Sequence, residues 1–378
     1  KICLLCSVQF TYEKFLDIFA DKLNSENYEV HAAFCFNEKS IIRKSNSTKF
    51  HNLPLKRKAS LIDIIKLVIN LKKFIERENF DIIHVHTPSA SIYARIANFI
   101  SLKKSILIYV VHGFYFHENM NKINYILHFL LEFFLSKFTD YLFFVSKEDY
   151  NLARSFGFKK NSRLKFISNG VETSRFFPYK ASDKKFLRVK YKIPKSKICV
   201  GIVARLVKEK GFVELIDAIK ILFQKYSELH LVIAGSYLSS DYQGSAIKII
   251  NELKEKFPMN VSLLGEIDNV EEIYNVMDIF CLPSYREGMP YTIIEAMLCG
   301  VPVVTTNIRG CRELVQNNYT GLLTKYKCSN QLSDNLEILI RNDKLRKFFS
   351  KNARYYALKN HNINNVIKNH LEKIQEIE

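Results

Sequence analysis

The chain has 378 residues, room for two domains of ordinary size. Hydrophobic residues make up 48% of it, with 20 Tyr and 29 Phe, a load that excludes a disordered chain. The formal net charge of +18 fits either a Lys-rich solubilising surface or attraction to anionic lipid, a diphosphate-bearing substrate or nucleic acid. Residues 1–180 hold 27 Lys and Arg against 16 Asp and Glu, so the first half is the one expected to face a membrane or an anionic acceptor.

The expected strands of the first half fall at 2–6, 30–34, 82–86, 106–111, 141–145 and 164–167, with helical patterns near 15–24, 61–78, 89–99, 124–138 and 147–155. This βα rhythm predicts a parallel sheet covered on both faces. Residues 169–197 break it with Pro178, Pro194 and a dense charge run, which marks an interdomain crossing. The rhythm restarts with strands at 199–204, 229–234, 261–264, 279–282 and 301–305 and helices at 212–226, 246–256, 270–275, 291–299 and 330–340; a basic amphipathic tail fills 344–378. The expected fold is α/β: two Rossmann-like domains, 1–178 and 179–355, facing each other across a cleft, with a terminal helix at 356–378 packing back on the first domain.

Eight Cys lie mostly in apolar runs, as small buried hydrophobes do. Cys3 and Cys6, three apart on a strand, point to opposite faces and do not suit joint metal ligation. With no signal peptide visible at the first residue, a reducing, cytoplasmic setting is expected. No apolar stretch reaches the roughly 18–20 residues of a membrane span. The nearest, 125–138, contains Glu132 and reads first as a core helix, second as a helix lying on a membrane.

Gly201-Ile-Val-Ala-Arg205-Leu-Val-Lys-Glu-Lys210-Gly211 places two cations between a strand end and a helix start. Ligands bind there in open α/β sheets, and two cations beside a turn suit a diphosphate. Glu287-Gly-Met-Pro-Tyr-Thr-Ile-Ile-Glu295 follows another strand and opens a helix. Pro290 suits a first helical turn, and the amides of Gly288 and Met289 can point at phosphate or a sugar hydroxyl. Glu287 can accept from sugar hydroxyls. Glu295 sits among apolar neighbours, where a carboxylate needs partners, and can chelate ribose hydroxyls. Gly235 ends a strand where backbone can approach a nucleotide. Glu266 and Ile267, after the next strand, can contact the base. No dinucleotide fingerprint or phosphate-loop motif is present, and no Asp-x-Asp pair that would hold a metal–diphosphate complex.

In the first half, His84 and His86 share one strand face, a pattern that favours packing or a supporting role over a metal pair. His112, followed by Gly113 and Phe114, ends a β-rich run; its neutral ring can receive a hydroxyl hydrogen bond. Ser7, Gln9, Phe10 and Thr11 follow the first strand and can meet sugar hydroxyls. Asn169 opens a tight turn that can line the cleft.

Three phrases together, V-A-R-L-V-K-E-K-G, E-G-M-P-Y-T-I-I-E and N-G-V-E-T-S-R-F, resemble the retaining glycosyltransferases of family 4, which have the GT-B architecture. H-V-H-T-P and H-G-F-Y-F resemble the bacterial subgroup that builds capsule, exopolysaccharide or lipid-linked oligosaccharide. The resemblance implies that Arg205 and Lys210 grip the donor diphosphate, that Glu287 faces the transferred sugar and Glu295 the ribose, and that His112 lies near the reacting sugar. It implies a nucleoside diphosphate sugar as donor, UDP-linked by subgroup, with no cofactor or metal. It further implies transfer with retention to a polyprenyl-diphosphate-linked or growing saccharide, at the inner face of the bacterial cytoplasmic membrane. The Ser7-Val-Gln-Phe10 segment departs from the Gly-rich loop of many members. Two rival readings remain: a sugar-nucleotide epimerase of similar fold, and a non-enzymatic polyanion or nucleic-acid binder, for which no recognition module is present.

Overall fold

A computed structural model describes residues 1–36, 47–55, 60–237 and 245–377. The chain divides into two compact units, Lys1–Ser168 with Ile367–Glu378, and Asn169–Val366. Residues 169–178, expected in the first domain, therefore belong to the second unit.

The first unit is built on strands β1 (Ile2–Val8), β2 (Val30–Cys35), β3 (Lys49–Asn52), β4 (Ile82–His86), β5 (Ile106–Val111), β6 (Tyr141–Phe144) and β7 (Leu164–Phe166). Their order is β3-β2-β1-β4-β5-β6-β7, and every pairing is parallel. β1, β4 and β5 are buried almost throughout, as continuous apolar strands covered on both faces must be. The order reverses between β1 and β4, so the crevice for a ligand opens at their carboxyl ends. Local chemistry sets the helix limits. Helix Leu61–Glu78 starts in a capping box of Ser60 and Asp63 and stops at Asn79, whose φ of 53° takes the left-handed cap.

The second unit holds β8 (Ile198–Val203), β9 (Leu229–Ala234), β10 (Val261–Gly265), β11 (Ile279–Leu282), β12 (Val303–Thr306) and β13 (Gly321–Thr324), ordered β10-β9-β8-β11-β12-β13 and parallel throughout. Its switch point lies between β8 and β11. Both sheets are thus the doubly wound Rossmann type expected from the sequence.

Several local expectations need correction. The charged stretch at 169–197 holds a helix, Ala181–Lys190, whose Arg188 binds the Val276 carbonyl and Asp278 within the second unit. The tail at 344–378 is two helices, Asp343–Asn360 and Ile363–Gln375. The 15–24 pattern is the helix Asp17–Ser25, which a further helix, Gln9–Phe15, precedes. The apolar stretch expected first as a core helix, Lys122–Ser136, is core on one face only. Phe129 and Phe133 pack on the cluster of Phe114, Phe116 and Phe158, and Glu132 meets the buried Arg95 guanidinium at 3.0 Å. Its other face leaves Ile123, Ile126, Leu127, Leu130, Leu131 and Phe134 exposed. Among the described residues no helix is long and apolar enough to cross a membrane.

Candidate active site

In the second unit the predicted donor residues gather at the carboxyl ends of β8 and β11. Arg205 follows β8 and is exposed. Lys210 closes a short 3-10 turn, and its Nζ lies 2.6 Å from Glu287 Oε1. Ser284 Oγ donates to the same oxygen at 2.7 Å. Backbone completes the clamp, with Tyr285 N–H on the Glu209 carbonyl at 2.8 Å. Gly211 explains why these loops can come so close. Its φ is 74°, and a Cβ there would stand 1.9 Å from the Pro283 carbonyl oxygen.

Glu295 lies on helix Tyr291–Leu298, half-buried where its apolar neighbours implied near-burial, and accepts from Tyr274 Oη at 2.5 Å. Burial and then the Glu295 charge push the Tyr274 hydroxyl well above its ordinary pKa, so it stays a donor. Pro290 is the residue before that helix rather than its first turn. Gly288 is half-buried and Met289 buried. Gly235, with φ 134°, passes the Ala204 carbonyl too closely for a side chain: a Cβ would sit 1.9 Å from that oxygen. Exposed Glu266 accepts from Ser236 Oγ at 3.2 Å, and Ile267 beside it is half-buried. Asn169 joins this group. Its Nδ2 donates to the Met289 carbonyl at 2.9 Å, and its Oδ1 accepts from Tyr291 Oη at 3.1 Å.

In the first unit, β1 and β4 end in a hydroxyl cluster. Ser7 Oγ lies 2.7 Å from both Thr87 Oγ1 and Ser89 Oγ. Thr87 has φ 73°, an outlier for a β-branched residue and of the kind that collects at functional sites. His86 Nδ1 is 2.9 Å from His112 Nε2, and His84 Nδ1 is 2.8 Å from His86 Nε2. Burial holds the His112 ring down at about 4 and keeps His86 well below its ordinary value, so both are neutral at pH 7. Gln9 is buried with its amide on Glu13 Oε1 at 2.7 Å, Phe10 is exposed and Thr11 half-buried. Phe114 is no surface residue: it stacks on Phe116 at 4.8 Å inside the aromatic core, since its backbone N–H is held by Asp149 Oδ2.

Sequence reasoning missed Tyr274, Ser284, Thr87 and Gly310. Ser284 stands three residues before Glu287, a spacing that could have flagged it. Gly310, at φ 81°, would put a Cβ 2.1 Å from the Gly288 carbonyl oxygen, so its loop and the Glu287–Gly288 turn are mutually fitted. Among the described residues one His/Glu group has metal-ligand spacing, His31, His51 and Glu78, with ligand atoms within 4.8 Å. It lies on β2, β3 and the end of helix Leu61–Glu78, and the Lys1 ammonium already sits 3.5 Å from Glu78 Oε2.

Family models match nearly the whole chain in two parts. Residues 13–175 match Glycosyltransferase Family 4, and residues 183–356 match Glycosyl transferases group 1. The chain is a glycosyltransferase of these families. It is similar to the Escherichia coli UDP-Gal:alpha-D-GlcNAc-diphosphoundecaprenol alpha-1,3-galactosyltransferase, with 28% identity over 81% of this chain and 78% of that one. It is also similar to the Staphylococcus aureus capsular polysaccharide biosynthesis glycosyltransferase CapM, with 26% identity over 88% and 86%. The fold of this glycosyltransferase is GT-B, shared with Anabaena HepE, a crystal structure in complex with UDP and glucose, at a TM-score of 0.80 and 20% identity, covering 99% of both chains.

Proposed function

We propose that this glycosyltransferase moves a hexose or N-acetylhexosamine, with retention, from a UDP-linked donor to a hydroxyl of a polyprenyl-diphosphate-linked or growing bacterial surface saccharide. The observation that carries this reading is the Lys210–Glu287 pair at the β8/β11 switch point, with Arg205 on the loop that follows β8. A donor diphosphate would draw Lys210 and Arg205 to its oxygens. Glu287 would then accept from a hydroxyl of the transferred sugar, and Glu295, oriented by Tyr274, from the ribose. The subgroup's relatives in Escherichia coli and Staphylococcus aureus support the acceptor and pathway class, and the UDP in HepE supports the nucleotide.

In this reading the acceptor hydroxyl attacks the anomeric carbon on the face from which the phosphate leaves. The glycosyl–phosphate bond breaks, the new glycosidic bond forms, and the hydroxyl proton passes to the departing phosphate oxygen. Arg205, Lys210 and the amides of Gly288 and Met289 stabilise the charge that grows there. Neutral His112 positions the donor sugar. With Lys210 and Arg205 as the cations that would meet the diphosphate and no Asp-x-Asp in the sequence, we assign the step no metal.

The second unit takes the donor role and the first the acceptor role. The first unit also has features suited to an anionic membrane surface. The exposed apolar face of helix Lys122–Ser136 continues through Phe134 and Phe138 to Phe99, at ring distances of 5.4 and 4.7 Å. Beyond its C-terminal end, Lys137, Lys159, Lys160 and Arg163 line an open cavity of about 520 Å³ with Phe158. Burial and then the Arg163 charge lower the Lys159 pKa, a crowding that a lipid phosphate would relieve. We therefore place the enzyme peripherally at the inner face of the cytoplasmic membrane.

The test is binding and slow hydrolysis of a panel of UDP- and GDP-sugars without acceptor. Selective binding and sugar release from one UDP donor supports the proposal. Conversion to an epimer would move the assignment to an isomerase, and no binding across the panel would overturn the donor site.

A further inference from the structure

His112 is the last member of a row of four imidazoles. His112 Nε2 lies 2.9 Å from His86 Nδ1, His86 Nε2 lies 2.8 Å from His84 Nδ1, and His84 Nε2 lies 2.9 Å from His370 Nε2. The row runs from the carboxyl end of β5, along one face of β4, to helix Ile363–Gln375. Its far end is packed in hydrocarbon: His370 stacks on Phe19 at 4.5 Å, and Phe143 lies 5.4 Å from His370 and 6.1 Å from His84. His84 is 0% exposed and His86 2%, so water does not substitute for a ring partner.

A neutral imidazole has one N–H and one bare nitrogen. His84 and His86 each have both ring nitrogens committed to another imidazole, so each must donate at one end and accept at the other. Only two arrangements satisfy all three links. In the first, every proton points toward His370: His112 donates from Nε2 and presents a bare Nδ1. In the second, every proton points toward His112: His112 accepts at Nε2 and presents Nδ1–H. Any mixture sets two donors or two bare nitrogens against each other inside the core. Burial keeps the rings neutral, with His370 down at about 3 and His84 well below its ordinary value.

We infer that His84, His86 and His370 are positioning residues that act as one tautomer relay, so that the hydrogen-bonding character of His112 toward its ligand is set by the group His84 meets on the C-terminal helix. The relay gives one end of the chain control over whether His112 offers a lone pair or a proton to a sugar hydroxyl. Its catalytic meaning rests on the donor-binding reading above; its existence does not.

The test uses the full chain, deuterated and labelled with 15N-histidine, with ring signals assigned through single substitutions. In the unsubstituted protein, couplings across the three N–H···N bonds should show every proton pointing the same way. Opposed directions, or a doubly protonated ring at pH 7, would overturn the relay. Two substitutions then impose opposite ends. Met at position 370 can only accept and Lys only donate. His370→Met should put the His112 proton on Nε2 and His370→Lys should put it on Nδ1, without either change touching His112. The same His112 tautomer in both folded variants overturns the inference. Should the buried Lys prevent folding, the couplings in the unsubstituted chain still decide. No substrate is present, so a failure of donor binding leaves this result standing, and a failed relay leaves the donor assignment intact.

Discussion

Lys210 and Glu287 neutralise each other across 2.6 Å, although they come from loops after different strands. The pair ties the two loops together and, in the proposed reaction, would share Lys210 with the donor diphosphate. Arg205→Ala and Glu287→Ala should each lower kcat by about 100-fold, the scale of losing one preorganised charge-stabilising group. Steady-state kinetics on the identified donor checks this, and near-normal turnover in either variant removes that residue from its role.

Tyr274→Phe deletes the hydroxyl that orients Glu295 and changes little else in volume. A hydrogen bond to a charged group is worth about 1.5–3 kcal/mol, so the variant should bind UDP about tenfold or more weakly. Calorimetric titration with UDP reads the effect. Unchanged affinity would mean that Glu295 does not meet the ribose.

Gly310→Ala meets both a positive φ and the Gly288 carbonyl oxygen at 2.1 Å. Relief requires moving the Glu287–Gly288 turn. Destabilisation of at least about 1 kcal/mol is expected, together with loss of donor binding. Urea unfolding alongside UDP titration measures the two; a variant with both properties intact would show that the turn yields freely.

Leu127→Gln with Leu130→Gln and Phe134→Gln should abolish sedimentation with anionic vesicles while leaving the melting temperature unchanged or raised, because these side chains are already exposed. Binding by the unsubstituted chain should fall as salt rises. No sedimentation of that chain at low salt would remove the membrane from the account.

The buried imidazoles also make stability pH-dependent. Their folded pKa values lie below the ordinary 6.5, at about 4 for His112 and about 3 for His370. The unfolded chain therefore binds more protons as pH falls through 6.5, and stability declines from there toward about 4. Urea midpoints at pH 7, 6 and 5 should fall in that order, with a shallower slope in His370→Gln. A flat profile over this range would mean that the rings take up protons in the folded state as readily as in the unfolded chain.

Much of this was legible in the sequence because it depends on local order. The apolar runs of β8 and β11 and the turns after them are enough to place Arg205, Lys210 and Glu287 at strand ends. The apolar neighbours of Glu295 imply a near-buried carboxylate in need of a partner, and it is half-buried with one. Partners distant in sequence were not legible. Tyr274 reaches Glu295 and Gly310 reaches Gly288 only because the sheet order brings their loops together. Short edge strands such as β3 and β13 have too few residues to show a period. The helix Ala181–Lys190 was hidden by its charge, which is spent on Asp278 and the Val276 carbonyl rather than on a linker's solvent face.

The first unit is discontinuous in sequence, and this has a consequence for synthesis. Its second piece, Ile367–Glu378, is synthesised only after the whole of the second unit, which is one unbroken stretch. At the usual rate of translation, an interval on the order of ten to forty seconds separates the emergence of Ser168 from that of His370. During it, His84 waits beside an unfilled groove and the second unit can finish folding first. A nascent chain would thus hold a formed second unit with an incomplete first unit, which only the arrival of Ile367–Glu378 completes.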